Sequence, residues 1–165
     1  MRITKYDPRN RDASGRYTQE EWTSVTDIGR DFPTGVLTAS EYLSVENLYV
    51  NAVASVLDTL QVSTLSISEL DEKNEFHHLS PELKKNSTEI AFPIFDGMSI
   101  CKSQIEAITR LVLREVIWCK LYGDEGLYIH FGYDYYMYIG YDRNDGMNWH
   151  RDNRLFVEQF DSPYA

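Results

Sequence analysis

The stretch Leu127 to Asp142, LYIHFGYDYYMYIGYD, constrains the fold more than any other. Nine of its sixteen residues are aromatic or β-branched, a composition that favours extended chain. Read with period two, Leu127, Ile129 and Phe131 fall on one face and Tyr128 and His130 on the other, as in a sheet with one buried side. Gly132 and Asp134 permit a turn, after which Tyr135, Met137, Ile139 and Tyr141 share one face and Tyr136 and Tyr138 the opposite one. The reading is an antiparallel hairpin. A single long strand is the rival, because no Asn-Gly or Asp-Gly pair marks a two-residue turn.

Two helices are expected to pack on this hairpin. The first runs from Thr38 to about Gln61, with Thr38 and Glu41 as a capping box and Leu37 and Tyr42 as a hydrophobic staple. Tyr42, Val45, Tyr49, Val53, Val56 and Leu60 recur at helical spacing and form its core face, leaving Glu46, Asn47, Asn51, Ser55 and Asp58 toward the flanks or solvent. Tyr42 and Tyr49 are packing residues whose hydroxyls reach a partner. The second helix is expected over Ser103 to Tyr122, capped by Ser103 and Glu106 and stopped at Gly123. Its stripe is Ile105, Ile108, Val112, Val116 and Cys119, widened by Leu111 and Trp118. Arg110 and Arg114 within it must snorkel or pair with a carboxylate.

Shorter elements complete the outline. Arg2 to Tyr6 reads as an edge strand, stopped by Asp7-Pro8 and a loop to Arg16. Tyr17 to Arg30 is an extended or partly helical approach in which Trp22 and Ile28 anchor to the body. Val62 to Leu70 is a strand with Leu65 and Ile67 on its apolar side. An acidic surface loop follows, carrying Glu69, Asp71, Glu72 and Glu75. Ser80-Pro81-Glu82-Leu83 starts one helical turn. Glu89 to Phe95 is a strand confined to an edge or bulge by Pro93, Met98 to Lys102 is a short extended piece, and Arg154 to Phe160 is a last strand. No repeat, low-complexity tract or linker divides the chain. Residues 1–165 therefore read as one α+β domain, an antiparallel sheet with two long helices packed on it.

Charge narrows the partners. The net charge is −10 over 165 residues. Residues 1–30 hold six Lys/Arg and five Asp/Glu, which leaves ten against twenty-one in residues 31–165. Such a body repels phosphate backbones and attracts basic surfaces, which argues against direct nucleic-acid binding and for a cationic protein partner. Acidity also serves solubility. The N-terminus lacks the apolar core of a signal peptide, and no run approaches the roughly 18 apolar residues of a membrane span. The two cysteines, Cys101 and Cys119, read as reduced, buried thiols. The location implied is the cytoplasm.

No reaction signature emerges. The chain has no G-x-S-x-G, phosphate-binding glycine loop, H-E-x-x-H or C-x-x-C. His77-His78 lack a ligand spacing, so no metal or cofactor is expected. His130 reads as a satisfied structural group or a surface hydrogen-bonder. Asp134, Asp142 and Asp145 would make a catalytic carboxylate pair only if their loops converge. The outer hairpin face, with Tyr136 and Tyr138 beside Asp134 and Asp142, has the mixture found in binding hot spots, or else is covered by other parts of the fold.

Five segments together carry a resemblance: RITKYDPRNRDASGRYTQEEWTSVTDIG, LTASEYLSVENLYVNAV, REVIWCKLYG, HFGYDYYMYIGYD and LFVEQFDSPY. They resemble a family of bacterial immunity proteins of polymorphic toxin systems, including contact-dependent growth inhibition. The resemblance covers nearly the whole chain and includes no catalytic motif. It implies a small cytoplasmic protein, not an enzyme, that binds the toxic C-terminal domain of a matching effector in a stoichiometric complex, often by blocking a nuclease active site. A basic nuclease would suit the acidic body. Candidate toxin contacts are Glu69, Asp71, Glu72, Glu75, Asp134, Asp142 and Asp145, with Tyr136 and Tyr138 as anchors. A small hydrolase using loop carboxylates and a non-catalytic adaptor are the alternatives. The sequence sets no oligomeric state.

Overall fold

The computed structural model describes residues 1–72, 79–85, 92–142 and 154–164. Glu75, His77, His78 and Asp145 lie outside the described residues, as does the first part of the strand expected at 89–95. The described part of that strand, residues 92–95, is not extended into a sheet. Pro93 withholds a ladder hydrogen bond there.

A seven-stranded sheet, antiparallel at every pairing, runs in the order β5-β4-β6-β7-β8-β1-β9. Its strands are β1 (Arg2–Thr4), β4 (Thr64–Glu72), β5 (Ser99–Cys101), β6 (Ile117–Tyr122), β7 (Tyr128–Phe131), β8 (Tyr136–Gly140) and β9 (Phe156–Glu158). A separate small ribbon pairs β2 (Asp31–Phe32) with β3 (Gly35–Val36). Helices α1 (Ala39–Leu60) and α3 (Lys102–Leu113) are the long ones, and α2 (Pro81–Lys85) is the single turn expected after Ser80. The α+β architecture expected from the sequence is the one found.

The aromatic stretch is a hairpin, not one long strand. Ile129 pairs with Ile139 and Phe131 with Met137, so these four share the inner face, while His130 opposes Tyr138 on the outer one. The inner row continues through Ile67, Leu121, Cys119 and Ile3, all at most 1% exposed. Helix α1 begins as its capping box dictates: Thr38 Oγ1 accepts from the Glu41 backbone N–H at 3.1 Å and Glu41 Oε2 accepts from that of Thr38 at 3.0 Å. Its core tyrosines are buried and satisfied. Tyr42 donates to the Leu113 carbonyl at 3.0 Å and Tyr49 to the Tyr135 carbonyl at 2.6 Å.

The second helix is shorter than expected. It starts after Cys101, whose backbone N–H donates to Gln104 Oε1 at 2.9 Å, so the Ser103–Glu106 box does not form the cap. It ends at Leu113, and residues 117–122 are strand β6. The stop is a Schellman turn: Glu115 takes φ +58°, its N–H bonds the Val112 carbonyl, and the Val116 N–H bonds the Leu111 carbonyl. Glycine usually holds that left-handed position. With Glu there instead, the sequence shows no break, and the alternation of Ile117, Cys119 and Leu121 inward is absorbed into an apparent helical stripe.

Two further corrections share a cause in nonlocal pairing. With β6 as its partner, β4 extends to Glu72, so Glu69, Asp71 and Glu72 lie on a strand and not in a loop. The register shifts between Ser68 and Asp71, where Glu69 takes φ +53°, the mark of a bulge. Strand β1 is not an edge, because β9 pairs on its other side. That last strand is confined to Phe156–Glu158. Both thiols are free, but Cys101 is exposed and only Cys119 is buried.

Candidate functional site

The tip of the β7–β8 hairpin is held in an unusual conformation. Asp134 and Tyr135 both have positive φ, +57° and +60°, and the Tyr136 N–H reaches the Tyr133 carbonyl at 3.3 Å. Two left-handed central residues define the type I′ hairpin turn, which matches strand twist and usually has the sequence Asn-Gly. A tyrosine there is strained. Burial and hydrogen bonding hold it: the Tyr135 hydroxyl donates to the Leu113 carbonyl at 2.8 Å and lies 3.0 Å from the Tyr42 hydroxyl, while its own carbonyl accepts from Tyr49. Trp22 packs edge-on against its ring, with centroids 4.8 Å apart. The turn thereby buries Tyr135 and projects its neighbours. Tyr133 is 72% exposed and Asp134 is exposed.

Strand pairing brings other acids to this end of the sheet. Asp71 and Glu72 face Trp118 and Ile117 across the β4–β6 ladder. Trp118 in turn donates its indole N–H to the Phe131 carbonyl at 2.8 Å, just before the hairpin turn. Glu115 precedes β6 on the same side. Asp71, Glu72, Glu115 and Asp134 thus form an acidic rim across one end of adjacent strands. A cavity of about 280 Å³ opens there, lined by Glu115, Trp118, Tyr133, Asp134, Thr23 and Ser24 among others. Tyr49, Val112, Ile117, Phe131 and Met137, all buried, form its deeper wall.

The remaining sequence candidates go elsewhere. Asp142 follows β8 while Asp134 precedes it, so the two lie at opposite ends of that strand and make no pair. Gly126, at φ +71°, leaves room for the Asp142 carboxylate beside it. Glu69 accepts from Lys120 Nζ at 2.8 Å. Tyr136 is half-buried, its hydroxyl accepting from Arg11 at 3.2 Å and its ring lying under Arg2 at 4.7 Å. Tyr138 is 6% exposed and covered by the C-terminal segment, with Phe160 and Tyr164 rings 6.2 and 6.0 Å away. Of the two anchors expected on the outer face, one is therefore buried. Tyr133, Glu115 and Trp118 were missed by the sequence reading. Tyr133 sat in the expected turn and Glu115 and Trp118 in the expected helix.

The same C-terminal segment explains His130. Its Nδ1 lies 2.8 Å from Ser162 Oγ, its ring stacks on Tyr128 at 4.4 Å, and Nε2 has no hydrogen-bond partner among the described residues. Burial and then the Lys120 charge push its pKa down to about 4, so the ring is neutral near pH 7. Among the described residues, no group of three His, Cys, Asp or Glu side chains is placed to hold a metal, and no helix is long and apolar enough to cross a membrane. No protein-family model, curated protein or solved structure matches the chain.

Proposed function

We propose that this chain is an immunity protein that binds the toxic domain of a cognate bacterial effector, a basic nuclease, and neutralises it by forming a stoichiometric complex in the cytoplasm. The observation that carries the reading is how the charges are disposed. Glu46 binds both Arg110 and Arg114, and Glu158 binds both Arg2 and Arg11. With Lys5 on Glu21 and Lys120 on Glu69, six cations are absorbed by four carboxylates. Outside those pairs twenty-two Asp/Glu stand against ten Lys/Arg, so the rest of the chain, which includes Asp71, Glu72 and Asp134, carries a larger negative excess than the net charge of −10 alone suggests. Nuclease domains attract phosphates with basic surfaces, and an acidic inhibitor meets such a surface with complementary potential and a fast on-rate. The sequence resemblance points to the same role, and separation of Asp134 from Asp142 removes one carboxylate pair that a hydrolase would have used.

Co-expression with the C-terminal domain of a large secreted protein encoded immediately upstream tests the reading. Cell survival and co-purification at one-to-one ratio are expected. Undiminished toxicity would overturn immunity toward that domain, and survival with no stable complex would overturn direct binding.

A further inference from the structure

We infer that residues 159–164 form a strap that leaves the outer face of the sheet when His130 takes up a proton, while the remainder of the fold stays closed. The device does not depend on the partner proposed above.

The strap is thin. Of its residues only Ser162 is buried, with its Oγ 2.8 Å from His130 Nδ1. The other holds are ring contacts at the outer face: Phe160 and Tyr164 against Tyr138, Tyr164 against Trp118 at 5.8 Å, and Arg2 over Phe160 at 4.2 Å. None of the strap residues belongs to the buried core between the sheet and the helices. The strand before the strap is fixed independently, since Glu158 binds Arg2 and Arg11 and Leu155 is buried. Detachment that begins after Glu158 is therefore a local opening.

Under the strap, His130 is 1% exposed and resists protonation in place. An imidazolium donates from both nitrogens. Ser162 Oγ can accept from Nδ1, but Nε2 meets no partner among the described residues, so its new N–H would be buried without an acceptor. The charges around the ring act in the same sense. Lys120 stands opposite His130 on β6 and repels a second cation, while Glu69 of β4, which attracts it, is already bound to Lys120. Tyr122, Tyr128 and Tyr138 complete the surroundings from β6, β7 and β8 with phenol rings. The strap itself brings Asp161, whose charge acts on Tyr128, and the Tyr164 ring. Once the strap is off, water solvates both ring nitrogens. The ring titrates at about 4 when covered and returns toward its ordinary 6.5 when bared, so opening is favoured as pH falls below about 6.5.

Amide hydrogen exchange on the full-length protein tests this. Protection of the Ser162 and Tyr164 amides, corrected for intrinsic exchange, is expected to fall about twentyfold from pH 7 to pH 5, the ratio set by a ring that titrates at about 4 covered and 6.5 bared. Low urea should barely change that protection, since a local opening exposes little surface, but should lower the protection of the Ile129 and Leu121 amides in the sheet. In His130→Gln, whose side chain gains no charge, the pH effect should vanish. In Ser162→Ala the strap should be less protected at pH 7, and by the reciprocity of linked equilibria the His130 ring should titrate at higher pH, read from its 13C NMR shift. Strap protection independent of pH in the wild-type protein, or a twentyfold fall that persists in His130→Gln, would overturn the inference. Strap and sheet amides with the same urea dependence would also overturn it, because the strap would then leave only with the whole fold. So would an unshifted His130 titration in Ser162→Ala. The wild-type and Ser162→Ala measurements are decisive without His130→Gln, should that variant not fold.

Discussion

Glu46 is fully buried and receives two hydrogen bonds from the Arg114 guanidinium, at 2.6 and 2.8 Å, which ties the middle of α1 to the end of α3. Arg110 adds a third at 2.8 Å from the more exposed side. Burying a carboxylate costs several kcal/mol, offset only while the pair is intact. Glu46→Gln should therefore lower the unfolding free energy by about 3–5 kcal/mol, because Arg114 remains buried without its counter-charge. A double change, Glu46→Leu with Arg114→Met, should cost less than the single one. Urea denaturation of the three variants checks the ordering, and a double variant worse than the single one would contradict it.

This pair also shows where sequence periodicity stops. Glu46 belongs to the flank of α1 by pattern, and only the placement of α3 beside it makes that flank interior. Arg114 was expected to snorkel or find a carboxylate, and it does the second. The capping box at Thr38 and the two faces of the hairpin were legible because both are local: a hydrogen bond three residues long and a period of two. The end of α3 was not, because a glutamate at the left-handed position of the Schellman turn gives no compositional signal. That one hidden stop concealed β6, and with it the extension of β4 to Glu72. The acidic rim followed, since it exists only through pairings between strands remote in the chain. Asp134 was found as a candidate, whereas Glu115, its partner at the cavity, was not.

Two tyrosine hydroxyls share one acceptor. Tyr42 and Tyr135 both reach the Leu113 carbonyl, at 3.0 and 2.8 Å. Removing either hydroxyl leaves that carbonyl with one donor, so Tyr42→Phe and Tyr135→Phe should each cost about 1 kcal/mol. Removing both orphans a buried acceptor at the end of a helix. The double variant should exceed the sum of the singles by about 1–3 kcal/mol, and strict additivity in a thermal or urea cycle would show that the carbonyl finds another donor.

His130 gives the protein an acid-sensitive element. Its pKa lies near 4 in the fold against an ordinary 6.5, so between those values the unfolded chain binds a proton that the folded chain refuses. The stability it contributes is complete above about pH 6.5 and is lost as pH falls through that window toward 4. Groups near the ring act in opposite senses: Lys120 lowers the pKa further and Glu69 raises it. His130→Phe should flatten the decline in stability from pH 6.5 to 4 relative to the wild-type protein. An unchanged slope would mean that carboxylates alone set the acid response.

The two thiols should separate cleanly under alkylation. Burial pushes the Cys119 thiol up to about 12, while hydrogen bonds from Ser103 and from the Gln104 backbone hold exposed Cys101 below its ordinary value. Thiolate is the reacting form. Iodoacetamide at neutral pH should modify one site, identified by peptide mapping as Cys101, and reach Cys119 only after denaturation. Equal labelling in the folded protein would be inconsistent with a buried Cys119 and with the inner face assigned to β6.

The electrostatic part of the proposed function makes a kinetic prediction. Asp71 and Glu72 are exposed at the end of β4. Reversing both, as Asp71→Lys with Glu72→Lys, removes attraction at a distance and adds repulsion. The association rate with the cognate toxin domain should fall by about tenfold at low salt, with a much smaller change in dissociation rate. The difference should shrink as ionic strength rises, because the screening length contracts from about 30 Å at 0.01 M to about 3 Å at 1 M. Stopped-flow association at several salt concentrations reads both effects. A rate and salt slope equal to those of the wild-type protein would place the toxin away from the β4 side of the rim, and a change confined to dissociation would mean that these carboxylates make contacts and do not steer.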